Sequence, residues 1–555
     1  MKKMRIILCI VMVLAMAFSL IACNKSETPQ SSGDSAAPEN SSSSDAGGSA
    51  DSSSGGNQAG GVVAPESITI GVTSFLGRFL AGLSPSESLI ACDAVFDSIW
   101  RVDSITKEAF SDILESWTWT DETTLEAKMR QDVYFSNGDN AVAEDLVFSY
   151  SNHLDRGSNY LNDMPLLVDQ CYASDKYTAV FKFSDPFPNF PNTVIYLVDK
   201  AWSESVGWDS MEWYDNPIGS GPYRVTEYVT DDHITLQARD DYWNKDAGPI
   251  AVKEWIIKYY PDASTMYMDL ELGNIKLCDV SSQDYSRFAR DGGDGYECVL
   301  LPAGCVTYFS IGFLDNPVFY DQRVREAISL CAEWDQIGMM MSGDMYIEAT
   351  SMVPKESPEY INPGKREYNP DKAIELLAEA GYGPDNPLKL YTFMMDRPIF
   401  KDFCESFQSY AQKVGIQCEI QYGDVSAALA KWLDPAGGID FGLLYNNLGV
   451  PTFSLYNGMY GANMLEGVTF AYVDDPDFQR LMNSLIYTSD RDVIISNAKE
   501  LQQIIFDRTL MIPITEMQTP MGYRTDTFSY DQVAHYVLAA NFYQIGRLGM
   551  ASAWG

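Results

Sequence analysis

Apolar and polar positions change period along this chain, and the changes mark out its elements. Ile68, Ile70 and Val72 alternate with small or polar residues, which predicts a half-buried strand. Between 369 and 445 the pattern is fuller. Asn369-Pro370 supplies a cap and a first-turn proline for a helix that Gly381 ends, with Ile374, Leu377 and Ala378 as its predicted apolar face. Strand 388–393, helix 400–414, strand 416–422, helix 425–432 and strand 439–444 then alternate. Phe403, Phe407, Tyr410, Ala411 and Val414 repeat at helical spacing, while Ile416, Cys418, Ile420 and Tyr422 alternate as in a strand. This βαβαβ order predicts an open parallel sheet with helices on its faces.

Ligands of such sheets bind in the crevice beyond the carboxyl ends of the strands. Strand 439–444 runs into Tyr445-Asn446-Asn447-Leu448-Gly449, two amides and a phenol suited to neutral hydrogen bonding. The same run also reads as an Asx-rich turn with no ligand role. The first strand leads likewise into Phe75-Leu76-Gly77-Arg78-Phe79. The candidate ligand-binding set is Phe75, Arg78, Phe79, Tyr308, Tyr445, Asn446 and Asn447.

The N-terminus carries a processing pattern. Lys2, Lys3 and Arg5 precede an apolar run over 6–21, and small residues follow, as in a secretory signal. Its 16 residues fall short of the roughly 18–20 a spanning helix needs. Leu20-Ile21-Ala22-Cys23 resembles a bacterial lipobox, which implies a signal peptide over 1–22 and a lipid on Cys23. Residues 24–65 are rich in Ser, Gly, Ala and Asp, with no large apolar residue before Val62. Such a stretch cannot bury enough surface to offset its ordering entropy. With Cys23 it is expected to be a tether (23–65) with a reach of about 35 Å. The expected location is the cell membrane, lipid-anchored on the extracytoplasmic face.

Residues 66–555 exceed one core, so two or three domains are expected. They carry 34 basic and 72 acidic residues, a net charge of −38. A body this acidic repels nucleic acid. Eight cysteines remain beyond Cys23, and an even number outside the cell permits disulfides. Cys298 and Cys305 are the pair nearest in sequence, whereas Cys331 and Cys404 sit on apolar helix faces as small hydrophobes. The absence of CxxC argues against a zinc ribbon or a thioredoxin-type site. The histidines are His153, His233 and His535, widely spaced and outside any HExxH, and residues 66–555 carry neither GxSxG nor GxxxxGK. The expectation is a protein without catalytic residues, metal or cofactor, and not an enzyme.

A set of blocks points to a family. Leu114-Glu115-Ser116-Trp117 is followed by Met129-Arg130-Gln131-Asp132-Val133-Tyr134-Phe135-Ser136-Asn137-Gly138 and by Ala143-Glu144-Asp145-Leu146-Val147-Phe148-Ser149-Tyr150. Then come Asn216-Pro217-Ile218-Gly219-Ser220-Gly221-Pro222-Tyr223, Asp241-Tyr242-Trp243, Asp321-Gln322-Arg323-Val324-Arg325-Glu326-Ala327-Ile328, Tyr368-Asn369-Pro370-Asp371-Lys372-Ala373 and Met511-Ile512-Pro513-Ile514. In order and spacing this set resembles the family 5 extracellular solute-binding proteins, the oligopeptide, dipeptide and nickel receptors of ABC importers. Each block also reads as scaffold. Gly138 suits a tight turn, Gly219 to Pro222 a turn entering a strand, and Asp321 a cap for a helix buried through Val324, Ala327, Ile328 and Cys331.

The resemblance implies an α/β, two-lobed periplasmic-binding-protein-like fold, with an extra domain on the first lobe and the ligand cleft between lobes. The implied division is a first lobe over 66–305 with the extra domain at about 108–215, a second lobe over 306–508, and a return over 509–555. Hinge strands are expected near 304–306 and 510–513. The implied function is capture of a small solute, peptide-like by family, by a monomer that closes and delivers it to ABC permease subunits. One departure stands out. Peptide-binding members carry an aspartate after the strand matching 439–444, but this chain has no acid between Asp440 and Glu466. A blocked peptide, an oligosaccharide or another neutral solute therefore stays open as the ligand, as does a sensor lipoprotein that uses the fold without transport.

Overall fold

The computed structural model describes residues 64–73, 86–102, 109–155, 165–192, 195–207, 210–291, 293, 295–313, 316–432, 437–445, 473–538 and 542–554. The expected signal peptide, Cys23 and almost all of the expected tether lie outside the described residues.

Among the described residues eight strands form the central sheet: β1 Ser67–Val72, β2 Tyr223–Val229, β3 His233–Ala238, β4 Glu254–Tyr259, β5 Leu277–Asp279, β6 Tyr296–Ile311, β7 Phe441–Tyr445 and β8 Ile512–Arg524. Their order is β7-β6-β8-β5-β1-β4-β3-β2. β1 lies parallel to β4 and β5, and the other neighbours are antiparallel. The alternating Ile68 and Ile70 are fully buried, as a central strand covered on its inner face requires.

Among the described residues, buried apolar side chains fall into two large cores and a small one. The first gathers Ile68, Trp100, Trp213, Trp255 and Tyr523. It also takes in Leu125, Ala127, Met129 and Phe181 of a second, antiparallel sheet made by Leu114–Asp121, Thr124–Met129, Thr178–Lys182 and Tyr172–Ala173. The other large core runs from Tyr308 to Ile514 in sequence and centres on Phe309, Phe403, Phe407 and Phe441. Tyr260, Met266, Leu270, Cys278 and Phe288 form the small one.

The glycines before β2 answer to packing as well as to turning. A Cβ on Gly219 would stand 2.0 Å from the carbonyl oxygen of Val95, and one on Gly221 2.5 Å from that of Ala94. The chain here passes against the end of helix Ser86–Val95, and Gly221 N–H donates to Val95 O at 2.8 Å. Arg239 pins the same corner. Its buried guanidinium donates to the carbonyls of Gly221 (3.0 Å), Phe135 (3.1 Å), Gly219 (3.3 Å) and Tyr134 (3.4 Å). Two of the sequence blocks are thus tied together through one side chain.

In the second core Asn369 caps helix Pro370–Glu379 by accepting from Lys372 N. Its buried face is Ala373, Leu376 and Leu377, one step round from the expected one, and Ile374 is 46% exposed. Asp321 caps helix Gln322–Leu330, with Val324, Ala327 and Ile328 buried. Strands Lys389–Met395 and Gln417–Gly423 pair in parallel, as the βαβ pattern predicts. The third strand of that pattern does not extend their ladder. β7 instead pairs antiparallel with β6, and it meets Lys389–Met395 through Thr392 Oγ1–H to Phe441 O (2.6 Å) and Asp440 N–H to Tyr391 O (2.8 Å). Local periodicity marks a strand, but its partner is chosen by β6, some 130 positions earlier in the chain.

Cys298, one of the pair nearest in sequence, is a free thiol. Cys278 and Cys298 both stand opposite Gly522, from the two strands that flank β8. Two inter-strand spacings put their Cα atoms roughly 10 Å apart, beyond disulfide reach. Cys331 and Cys404 are buried as small hydrophobes.

Candidate functional site: the gap between opposed strand ends

Strand direction builds a cleft. β1 is parallel to β5, β5 antiparallel to β8, and β8 antiparallel to β6, so β1 and β6 run the same way. β7 runs against β6. The carboxyl ends of β1 and β7 therefore point toward each other from opposite ends of the sheet. Their separation follows from register. Gly71 is level with Cys278, and Cys278 with Gly522. Tyr445 is level with Thr307, and Thr307 with Thr515. The stretch of β8 between these levels, less the last residue of β1, spans about 20 Å at roughly 3.3 Å per residue.

Of the eight strands, β6 and β8 bridge this gap. Their pairing slips twice within it, between Pro302 and Val306 and between Thr307 and Tyr308. Each slip removes regular ladder bonds and adds local twist, so the bridge is weakest where it spans the opening. The half-buried Met517, Gln518 and Thr519 lie along this span of β8. Sequence reasoning missed them. Their signal is a strand whose polar middle is flanked by buried apolar ends, Ile512 and Ile514 on one side and Met521 on the other.

One end of the span is fastened to segment 347–355. Glu516 N–H and Thr515 Oγ1–H both donate to Ile347 O at 2.9 Å, and Glu516 Oε1 accepts from Lys355 N at 3.2 Å. Burial pushes the Glu516 carboxyl above its ordinary pKa, against the Lys355 N–H bond that lowers it. At the other end, Thr73 Oγ1–H reaches Asp279 Oδ2 at 3.3 Å, which joins the exits of the parallel strands β1 and β5.

The sequence-derived candidates meet this geometry unevenly. Phe75, Arg78, Phe79, Asn446 and Asn447 lie outside the described residues. The backbone of Tyr445 ends β7 at the gap, opposite Thr307. Tyr308 pairs with Leu444 and is fully buried in the second core, so in this conformation it packs beneath the site and does not open onto it. Asp440 is committed: Oδ1 accepts from Asn316 Nδ2 at 2.9 Å and Oδ2 from Tyr391 N at 2.8 Å. Among the described residues no group of three or more His, Cys, Asp or Glu side chains is placed to hold a metal ion. No described helix is long and apolar enough to cross a membrane.

Comparison with known proteins decides the family. The model of bacterial extracellular solute-binding proteins, family 5 Middle, matches residues 109–466. The chain belongs to this family. Family 5 proteins are extracytoplasmic, non-enzymatic receptors that bind a small solute for an ABC importer, which fits a gap between opposed strand ends. The chain is 26% identical over 408 residues to the oligopeptide-binding protein AppA of Bacillus subtilis, covering 68% of this chain and 72% of that one. Among solved structures, Bacillus subtilis AppA in complex with a nonapeptide superposes with a TM-score of 0.67 at 21% identity, over 84% of this chain and 96% of that one. AgaA of A. tumefaciens R10 in complex with agropinic acid gives 0.69 at 18% identity, over 87% and 98%. These likenesses establish the mixed α/β fold of family 5 receptors.

Proposed function

We propose that this family 5 receptor captures a peptide or peptide-like solute in the gap between the ends of β1 and β7, and closes over it by bending of β6 and β8. The carrying observation is the opposition of those two carboxyl ends across about 20 Å spanned by two slipped strands. That width suits a chain of several residues. The similarity to an oligopeptide-binding protein supports the same class. Phe75, Arg78, Phe79, Tyr445, Asn446 and Asn447 are the proposed ligand-facing residues, with Tyr308 as support beneath them. The proposed lobes are 66–305 with an extra domain at about 108–215, and 306–508, with 509–555 returning to the first. Cys23 is the proposed lipid attachment, and 24–65 the tether that keeps a monomeric receptor at the membrane beside its permease.

A neutral solute is the second reading, and one observation favours it. Both oxygens of Asp440 are engaged by protein donors, and no further acid follows before Glu466. A free peptide ammonium thus lacks an acidic partner in the stretch after β7. Protein lacking residues 1–65, screened by thermal shift against di- to hexapeptides, N-acetylated peptides, oligosaccharides and nickel chelates, separates the two. A ligand at 100 times its Kd adds about 2.7 kcal/mol of stability. Stabilisation by free peptides supports the first reading. Response to acetylated peptides or oligosaccharides alone replaces it with the second, and response only to nickel chelates removes both.

A further inference from the structure

We propose that Asn189 is a closure latch: its side-chain amide fastens the first core to a helix end of the second and sets how much of the ligand-free receptor is closed. This rests on the hinge-closure reading above. Asn189 is 1% exposed and donates from Nδ2 to the carbonyl of Thr488 at 2.8 Å and to that of Leu485 at 3.3 Å. The flanking Phe190 belongs to the first core and Leu485 to the second, so the bonds tie together two separately packed bodies.

Both sides of the contact are built for it. Phe187 and Phe190 are buried, and Phe190 packs against Tyr150, Phe183, Phe181 and Trp100 at ring centroid distances of 4.7 to 6.0 Å. Pro188 and Pro191 restrict the backbone between and beyond these rings. Asn189 is therefore presented on a stiff mount. Its target is the end of helix Pro476–Ile486, where carbonyls lack partners within the helix and the dipole is negative. An amide donor satisfies that end without burying a charge. A further polar contact starts from the helix Ser282–Asp291 that packs the small core, where Ser286 Oγ–H donates to Asp344 Oδ2 at 2.5 Å. Asn189, by contrast, acts through the end of helix Pro476–Ile486.

Opening must break the Asn189 bonds. Bonds of ordinary net strength bias a two-state equilibrium by about two- to tenfold, and a ligand that needs the closed state loses affinity by the lost fraction. The isosteric Asn189→Asp turns the donor into an acceptor facing two carbonyls and should open the molecule further than Asn189→Ala.

The test is small-angle scattering of ligand-free wild type, Asn189→Ala and Asn189→Asp, with circular dichroism as the folding control. The expected result is a radius of gyration that rises in the order wild type, Ala, Asp, by about 1 Å against the roughly 23 Å of a compact chain of this size. An Asn189→Cys/Thr488→Cys double variant should cross-link on mild oxidation and return the dimensions to the wild-type value, with each single variant as control. Equal dimensions across folded variants, or a double variant that never cross-links, overturns the latch. The receptor reading is tested separately by the peptide pools on wild type. Peptide stabilisation with unchanged dimensions removes the latch alone, and changed dimensions with no response to any solute pool remove the receptor reading alone.

Discussion

Arg508 closes one helix onto the start of another through Asp475. It is the last residue of helix Arg491–Arg508, and Asp475 caps helix Pro476–Ile486 by accepting from Asp477 N and Phe478 N. Arg508 Nη1 lies 2.7 Å from both carboxylate oxygens of Asp475, and Nη2 lies 2.6 Å from Asp477 Oδ2. The helix that receives Asn189 at its end is thus fixed by a cation at its beginning.

Replacing Arg508 with Ala should lower Tm at neutral pH by about 1–2 °C, an effect discounted for partial exposure and reduced further by added salt. The hydrogen bond from Arg508 holds the Asp477 carboxyl below its ordinary pKa. A depressed folded-state pKa contributes stability that is present above the unfolded value and is lost as pH falls through the folded one. The difference in Tm between wild type and Arg508→Ala should therefore shrink below about pH 4. Paired melting curves at pH 7 and pH 3 check this, and an equal gap at both would assign the loss to packing.

Asp145 should titrate far from the usual carboxylate range. Burial raises its pKa from 3.8 to about 6, although its oxygens accept from Val142 N and Lys200 N. The raised value means that its contribution is fully present below pH 3.8 and is lost as pH rises through about 6. Carboxyl carbon NMR should place its midpoint near 6. Asp145→Asn should flatten the dependence of Tm on pH between 4 and 6. A midpoint near 4 would mean that water reaches the carboxylate.

Arg239→Lys should be costly despite keeping the charge. A lysine ammonium cannot reproduce the planar fork that serves four carbonyls from two nitrogens. Leaving two of those carbonyls buried and unpaired costs about 2–5 kcal/mol. Chemical denaturation should report that loss, and a near-neutral result would mean that water replaces the guanidinium.

Much of the scaffold was legible in local pattern. The caps at Asn369 and Asp321 and the parallel pair Lys389–Met395 with Gln417–Gly423 follow from short-range rules of capping and periodicity. What escaped was long-range. The apolar face of helix Pro370–Glu379 is set by the neighbour it packs on, and Leu376 outranks Ile374 there. β7 belongs to β6 because of a pairing across some 130 positions, which no window around Phe441 contains. The site follows the same rule. Strand exits can be read from sequence, but their opposition depends on strand directions that only the assembled sheet defines. Gln518 carries only the weak mark of a polar strand middle between apolar ends, and the carbonyls that Asn189 meets lie some 300 positions further along the chain.

The two-strand bridge has a mechanical meaning. A pair of hydrogen-bonded strands resists stretching and in-plane shear, yet yields to twist, and more so where its ladder is slipped. In the proposed closure, two lobes joined by β6 and β8 would behave like plates on a torsion bar, and the angle at which they come to rest would become a gauge of whatever lies between them. A longer occupant would stop the rotation earlier, so a membrane partner that touches both plates could read cargo size as a twist without touching the cargo.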